Sequence, residues 1–296
     1  LIPFEALVGE SNRYLIENYS ISYITSGRDL LRMQTARKNE NKSLIVANPL
    51  FGSLSSDLRT DEKTRRRSVT TARNLSETYF APLAGTLAEA RSIQTLFPDA
   101  TLLDKGLATE AALKNINAPR LLHIATHGFF LENTNDLKTK IESQNRTANA
   151  ETENPLLRSG IALAGANERE GGAKDDGILT ALEASGLNLW GTKLVVLSAC
   201  DTGIGDVKNG EGVYGLRRAF LLAGTESLVM SLWAVSDYAT RELMTDYYKN
   251  LKNGIGRGEA LRQVKLTMMK KKGREHPFYW AGFIQSGEWA NLDGKR

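Results

Sequence analysis

The chain has 296 residues, 41% of them hydrophobic and 24% charged, with a formal net charge of +4. That length supports a buried core, and that composition excludes a disordered or fibrous chain. So small a charge gives no argument for a nucleic-acid partner, and no apolar run is long enough to span a membrane. The one cysteine, Cys200, excludes an internal disulfide and a multi-cysteine metal site, and it points to a reducing cytoplasm. The chain opens Leu1-Ile2-Pro3-Phe4, without an initiator Met or a basic–apolar leader, and reads as part of a longer protein.

In chain order, residues 43–47 (SLIVA) read as a buried parallel strand closed by Asn48-Pro49. Arg59, Lys63, Arg65, Arg66, Arg67 and Arg73 then crowd a polar stretch with no aromatic residue between Arg59 and Arg73 to stack on bases. It reads as a solvated insertion, against nucleic-acid binding by this domain alone. Leu83, Leu87, Ala90 and Ile93 form a helical stripe stopped by Pro98. A second strand at 100–103 follows, then a short helix capped by Thr109, then a third strand at 120–126 (RLLHIAT). Residues 131–176 are polar around one apolar island at 156–164, and such long loops tend to be functional or disordered. The fourth and fifth strands lie at 193–199 and 227–232, around a helix at 213–223 that ends at Gly224. Helices at 237–251 and 258–270 and a closing strand at 278–284 complete the chain. Strands alternating with helices predict a three-layer α/β/α sandwich around a mainly parallel sheet. The whole reads as one domain, with insertions at about 52–78 and 131–153.

Ligands of such sheets bind at the carboxyl ends of the strands. The third strand ends Ala125-Thr126-His127-Gly128, and the fourth ends Ser198-Ala199-Cys200-Asp201. If those strands are neighbours, His127 and Cys200 meet at the tip of the sheet. A free thiol has a pKa of about 8.5, so a nearby imidazole is what makes it a nucleophile at neutral pH. Gly128, without a Cβ, can bring its N–H close to a substrate carbonyl, and the Cys200 N–H is the natural second oxyanion donor. Taken singly, such a Cys is more often a small buried hydrophobe, and such a His a satisfied polar residue. His123 and His127 have a zinc-like spacing, but the intervening glutamate of the metalloprotease pattern is Ile124 and the segment reads as strand. Lys208 breaks the dinucleotide pattern begun by Gly203-Ile204-Gly205. No metal or organic cofactor is implied, and His276, before Pro277, reads as structural.

The stretches LLHIATHGF (121–129), PLLRSGIALAGAN (155–167), GILTA (177–181), LVVLSACDTG (194–203), GEGVYGLRRAFLLA (210–223), SLWAVSDYAT (231–240) and HPFYWAGF (276–283) resemble the CHAT family. These are caspase-like domains often found behind tetratricopeptide repeats in bacteria. The opening IPFEAL (2–7) and SGRDLL (26–31) are similar to the family's beginning, so the resemblance covers nearly the whole chain. It implies a caspase–hemoglobinase fold, a His127–Cys200 dyad, and cysteine endopeptidase chemistry on protein substrates. It also implies control by attached repeats or a regulatory partner. The alternative is a catalytically silent signalling or scaffold module of the same fold. Several relatives of that fold prefer a basic residue before the scissile bond, which makes Asp201 and Asp237 candidates for the substrate pocket. Residues 131–153 and 167–176 are expected to be mobile linkers, with self-cleavage positions among Lys138, Lys140, Arg146, Arg169 and Lys174.

Overall fold

The computed structural model describes residues 2–35, 38–53, 78–131, 154–168, 175–198, 211–233 and 237–295. The main sheet has six strands in the order β2-β1-β3-β7-β8-β9. They are β1 (Leu44–Pro49), β2 (Thr101–Lys105), β3 (Leu121–Ala125), β7 (Leu194–Leu197), β8 (Ser227–Ser231) and β9 (Phe283–Gly287). All neighbours are parallel except β8 and β9, which run antiparallel. A second, antiparallel sheet joins β4 (Gly128–Phe130), β5 (Ser159–Ala162) and β6 (Ile178–Thr180). The first five expected strands thus appear, and the third and fourth of them, β3 and β7, are direct neighbours.

Period-two alternation gives the inner strands β1, β3 and β7 two buried faces. Ile45, Ala47, Leu121, Ala125, Leu194 and Val196 face one side. There they pack on α3 (Ala84–Leu96), α7 (Asp237–Lys252) and α8 (Arg257–Met269) through Ala90, Ile93, Leu243, Tyr247 and Leu261. Val46, Leu122, Ile124, Val195 and Leu197 face the other side. Their partners are α4 (Glu110–Lys114), α5 (Ala181–Ala184) and α6 (Glu211–Leu222), which supply Leu113, Ala184, Leu216 and Phe220. The result is the expected α/β/α sandwich. Each Val, Leu or Ile buried in it contributes about 1.5–3 kcal/mol by leaving water.

Helix ends follow local chemistry. Thr109 Oγ1 accepts from the Ala112 N–H at 3.1 Å, capping α4 as its sequence predicts. Thr109→Ala is expected to lower stability by about 1 kcal/mol, read as a shift of the denaturant midpoint. Gly224 ends α6 at φ +109°, and a Cβ there would meet the Trp190 backbone at 3.0 Å. Two expectations need correction. In place of a strand from residue 278, Pro277–Trp280 form the short helix α9, because Pro277 occupies its first turn and His276 Nδ1 accepts from the Phe278 N–H. The sheet resumes only at Phe283, as β9. The stripe of α3 also turns further than apolar spacing implies, since Thr86 and Glu89 are buried with Ala90 and Ile93.

The opening segment is tied to this body at several points. α1 (Leu15–Asn18) lies against α8, where Arg262 donates to the Ile16 and Glu17 carbonyls, both at 2.7 Å. The buried Glu5 and Lys265 pair at 2.6 Å. Tyr23 bridges to the outer edge of β9 at Ser286, and α2 (Gly27–Arg32) follows. No described helix is long and apolar enough to cross a membrane. The two expected insertions fall, but for their end residues, outside the described residues.

Candidate active site

The strand order reverses between β1 and β3, since β2 lies outward of β1 and β7, β8 and β9 continue on the far side of β3. In sheets of this kind the carboxyl ends of the strands at such a reversal are the usual ligand position. His127 stands there, two residues beyond β3 and directly before β4. Its backbone is fixed at the joint of the two sheets, because its carbonyl accepts from the Ala162 N–H at 2.9 Å. Thr126 beside it donates through Oγ1 to the Ala162 carbonyl.

His127 is 6% exposed. Phe51 and Phe80 flank it, with ring centroids 5.3 and 5.8 Å away. They belong to a third small core with Phe129, Ala162, Ala166 and Ile178. His127 Nε2 lies 2.7 Å from the Ala81 carbonyl oxygen. A carbonyl can only accept, so Nε2 carries the proton, and in the neutral ring the lone pair sits on Nδ1.

Gly128 is the first residue of β4, the edge strand of the small sheet. Hydrogen bonds join residues 127 and 162, and 131 and 158, on either side of the Gly128–Ile161 pair. In an antiparallel ladder bonded and non-bonded pairs alternate, so Gly128–Ile161 is non-bonded and the Gly128 N–H points away from β5. The edge of β4 therefore presents a donor that its own ladder does not use.

His123, four residues upstream, has a separate role. It is buried in the middle of β3, with Nδ1 3.1 Å from the Tyr248 hydroxyl and Nε2 3.1 Å from Glu89 Oε1. The Glu89 contact has ion-pair distance without hydrogen-bond geometry. Burial above all, with Tyr247 and Glu89 adding, holds the Tyr248 phenol well above its usual pKa. His123 thus ties α3 and α7 to the sheet.

Cys200 and Asp201 lie outside the described residues, as do the candidate cleavage positions Lys138, Lys140, Arg146, Arg169 and Lys174. Asp237 opens α7 by its backbone, and its side chain is also outside. Asn167, read in sequence as the start of a mobile polar linker, is instead 3% exposed and hydrogen-bonded. Phe51, Phe80 and the Ala81 carbonyl had no signature in sequence. They flank the 54–77 segment, whose polar composition draws attention away from its ends.

The CHAT domain family's sequence profile matches residues 1–288. The human protein named Tetratricopeptide repeat protein 28 is 25% identical over 300 residues, which are 99% of this chain and 12% of that protein. The mouse protein of the same name is 34% identical over 116 residues, 39% of this chain and 5% of that one. The chain thus spans a small part of the curated relatives it matches. Among solved structures, the Arg-specific cysteine proteinase gingipain R aligns over 88% of this chain and 51% of its own. Its identity is 11% and its TM-score 0.48. The Saccharomyces cerevisiae separase–securin complex aligns over 97% of this chain and 14% of that one, at 15% identity and TM-score 0.47.

Proposed function

The chain belongs to the CHAT domain family, and from that membership we propose that it is a cysteine endopeptidase domain working through His127 and Cys200. The observation that carries this reading is the register of the two central strands. Ile124 of β3 pairs with Leu197 of β7. In sequence His127 and Cys200 each lie three residues beyond that pair, past the carboxyl ends of two neighbouring parallel strands. The commitment of Nε2 to the Ala81 carbonyl supports the same reading, because it leaves Nδ1 as the basic nitrogen.

In this mechanism Nδ1 of His127 takes the Cys200 proton, and the thiolate attacks the scissile carbonyl carbon. The C–S bond forms as the carbonyl becomes an oxyanion, held by the N–H groups of Gly128 and Cys200. The imidazolium protonates the leaving amine as the C–N bond breaks. Water, giving its proton to His127, then hydrolyses the thioester and restores the thiol. The reading is tested by labelling with a peptide bearing a thiol-reactive group. Rapid modification of Cys200, slowed in His127→Ala, is expected, whereas equal rates would reject His127 as base. The same reagent separates a peptidase from a silent scaffold, which would take it up no faster than a free thiol does.

Cleavage next to a basic residue is part of the proposal, with Asp201 or Asp237 as the pocket carboxylate. An opposite charge in a partly dehydrated cleft contributes about 1.5–3 kcal/mol, roughly tenfold to over a hundredfold in selectivity. A peptide library varied before the scissile bond, read by mass spectrometry, is expected to favour Lys or Arg. Asp201→Asn or Asp237→Asn is expected to weaken that preference. An acidic or large apolar preference would remove the basic pocket, and a basic preference untouched by both changes would remove these residues as its source. Control by tetratricopeptide repeats belongs to the same proposal, supported by the names of the curated relatives.

A further inference from the structure

We propose that Asn167 is a positioning residue for His127, acting through the peptide that precedes the Ala81 carbonyl. This rests on His127 as the base. Asn167 is buried in the turn after β5, and its backbone N–H donates to the Phe51 carbonyl at 2.8 Å. Its side-chain amide makes three more bonds. Oδ1 accepts from the Phe80 N–H at 2.9 Å. Nδ2 donates to the Phe80 carbonyl at 2.9 Å and to the Gly52 carbonyl at 3.1 Å.

These bonds reach both chain segments that touch the imidazole. One brings Phe51 and Gly52 out of β1. The other brings Phe80 and Ala81 into α3. Among the described residues no backbone hydrogen bond joins the two segments, and the Asn167 amide links them. Phe80 is gripped at both its N–H and its C=O, which fixes the peptide plane leading into Ala81. The Ala81 oxygen in turn takes the Nε2 proton of His127. The Phe51 and Phe80 rings, whose backbones the same residue holds, pack on the imidazole. A carboxylic acid or carboxylate has no N–H₂ pair to give to two carbonyls, and a serine cannot reach all three groups. Only an amide of this length satisfies the set. The chain is therefore His127 to Ala81, Ala81 to Phe80, and Phe80 to Asn167, with the tautomer of His127 as its output.

The test uses the whole chain. Cys200 is its one cysteine, so iodoacetamide uptake followed by mass reads a single thiol. With three histidines present, nitrogen-15 correlation spectra assigned by substitution read which ring nitrogen of His127 bears the proton. The parent is expected to show the Nε2–H form near neutral pH. Asn167→Asp and Asn167→Ser are expected to give mixed tautomers and to slow Cys200 alkylation near pH 7 by about tenfold or more, as a small misplacement of a catalytic group does. His127→Ala serves as the reference for complete loss. If His127→Ala slows alkylation but both Asn167 variants keep the parent tautomer and rate, the positioning role is overturned while the base stands. If His127→Ala leaves alkylation unchanged, the base itself is overturned. Should neither Asn167 variant retain the near-ultraviolet circular dichroism of the parent, the parent spectrum decides. A slowly exchanging Nε2–H supports the linkage, and an Nδ1–H form overturns it.

Discussion

Cys200→Ala is expected to abolish turnover of peptide substrates, and His127→Ala to lower it by about 10²–10⁴-fold. The two losses differ in kind. Without sulfur no acyl-enzyme forms, and no other group in the proposed mechanism can replace that bond. Without the imidazole the thiol still ionises on its own, to a few per cent near neutral pH, so slow acylation persists. At about 1.36 kcal/mol per tenfold, the His127 loss corresponds to roughly 3–5 kcal/mol of transition-state stabilisation. It includes the proton that His127 would deliver to the leaving amine, which the free thiol's ionisation cannot supply. Acylation by an ester therefore distinguishes the two contributions. Its leaving group needs less protonation, so His127→Ala is expected to lose less on the ester than on the matching amide. An equal loss on both would confine His127 to activating the thiol. Undiminished turnover of the amide in His127→Ala would remove it from the mechanism.

The parts of this site legible in sequence are those fixed by strong local rules. Apolar runs of four or five residues gave β1, β3, β7 and β8, and their alternation with helices implied parallel neighbours. The position of His127 followed from where the run at 121–125 stops. The small sheet was not legible, since β4 and β6 have three residues each, too few to display a period. Its strands exist because β5 pairs with both of them, a contact between distant parts of the chain. Asn167 was misread for the opposite reason. A lone Asn among polar residues looks like a loop, and only the convergence of Gly52 and Phe80 on its side-chain amide, and of Phe51 on its backbone N–H, makes it part of a core. Glu5 and Lys265 are charged residues that composition assigns to the surface and the fold buries as a pair, and Glu89 is buried beside His123.

Arg257→Met is expected to destabilise the chain by about 3–5 kcal/mol, a large share of the roughly 5–15 kcal/mol that holds an ordinary domain folded. Arg257 is the first residue of α8 and has no exposed surface. A cation at a helix N-terminus opposes the helix dipole, so its place must be justified by its partners. Nε donates to the Ala290 carbonyl at 2.8 Å, and one terminal nitrogen reaches the Lys193 carbonyl and Ser227 Oγ. Glu226 Oε2 lies 3.3 Å away and Asn291 O accepts at 3.3 Å. The guanidinium thereby joins the starts of β7 and β8 to the C-terminal segment. Burial is the first cause that depresses its pKa, and Glu226 foremost opposes that depression, so removing the carboxylate would expose the full cost of the buried charge. Methionine keeps most of the stem's volume and removes every donor. The Lys193 and Ala290 carbonyls lose their bonds to the charged group, at about 1.5–3 kcal/mol each, but keep Ser227 Oγ at 2.8 Å and the residue-257 backbone N–H at 3.1 Å, so neither is left unsatisfied. Glu226 keeps Lys193 Nζ at 2.7 Å, which limits its share. A cleft of about 290 Å³ lined by Arg257, Glu226, Lys193 and Gly287 would admit water to the vacated groups and moves the expectation toward the lower figure. Urea unfolding is expected to show a lower midpoint with an unchanged slope. Pairing the change with Glu226→Gln is expected to cost less than the sum of the two single changes, because both remove the same Arg257–Glu226 interaction. A fall below about 1 kcal/mol for Arg257→Met would mean that water replaces the guanidinium at little cost, and the junction would then rest on β9 and the backbone alone.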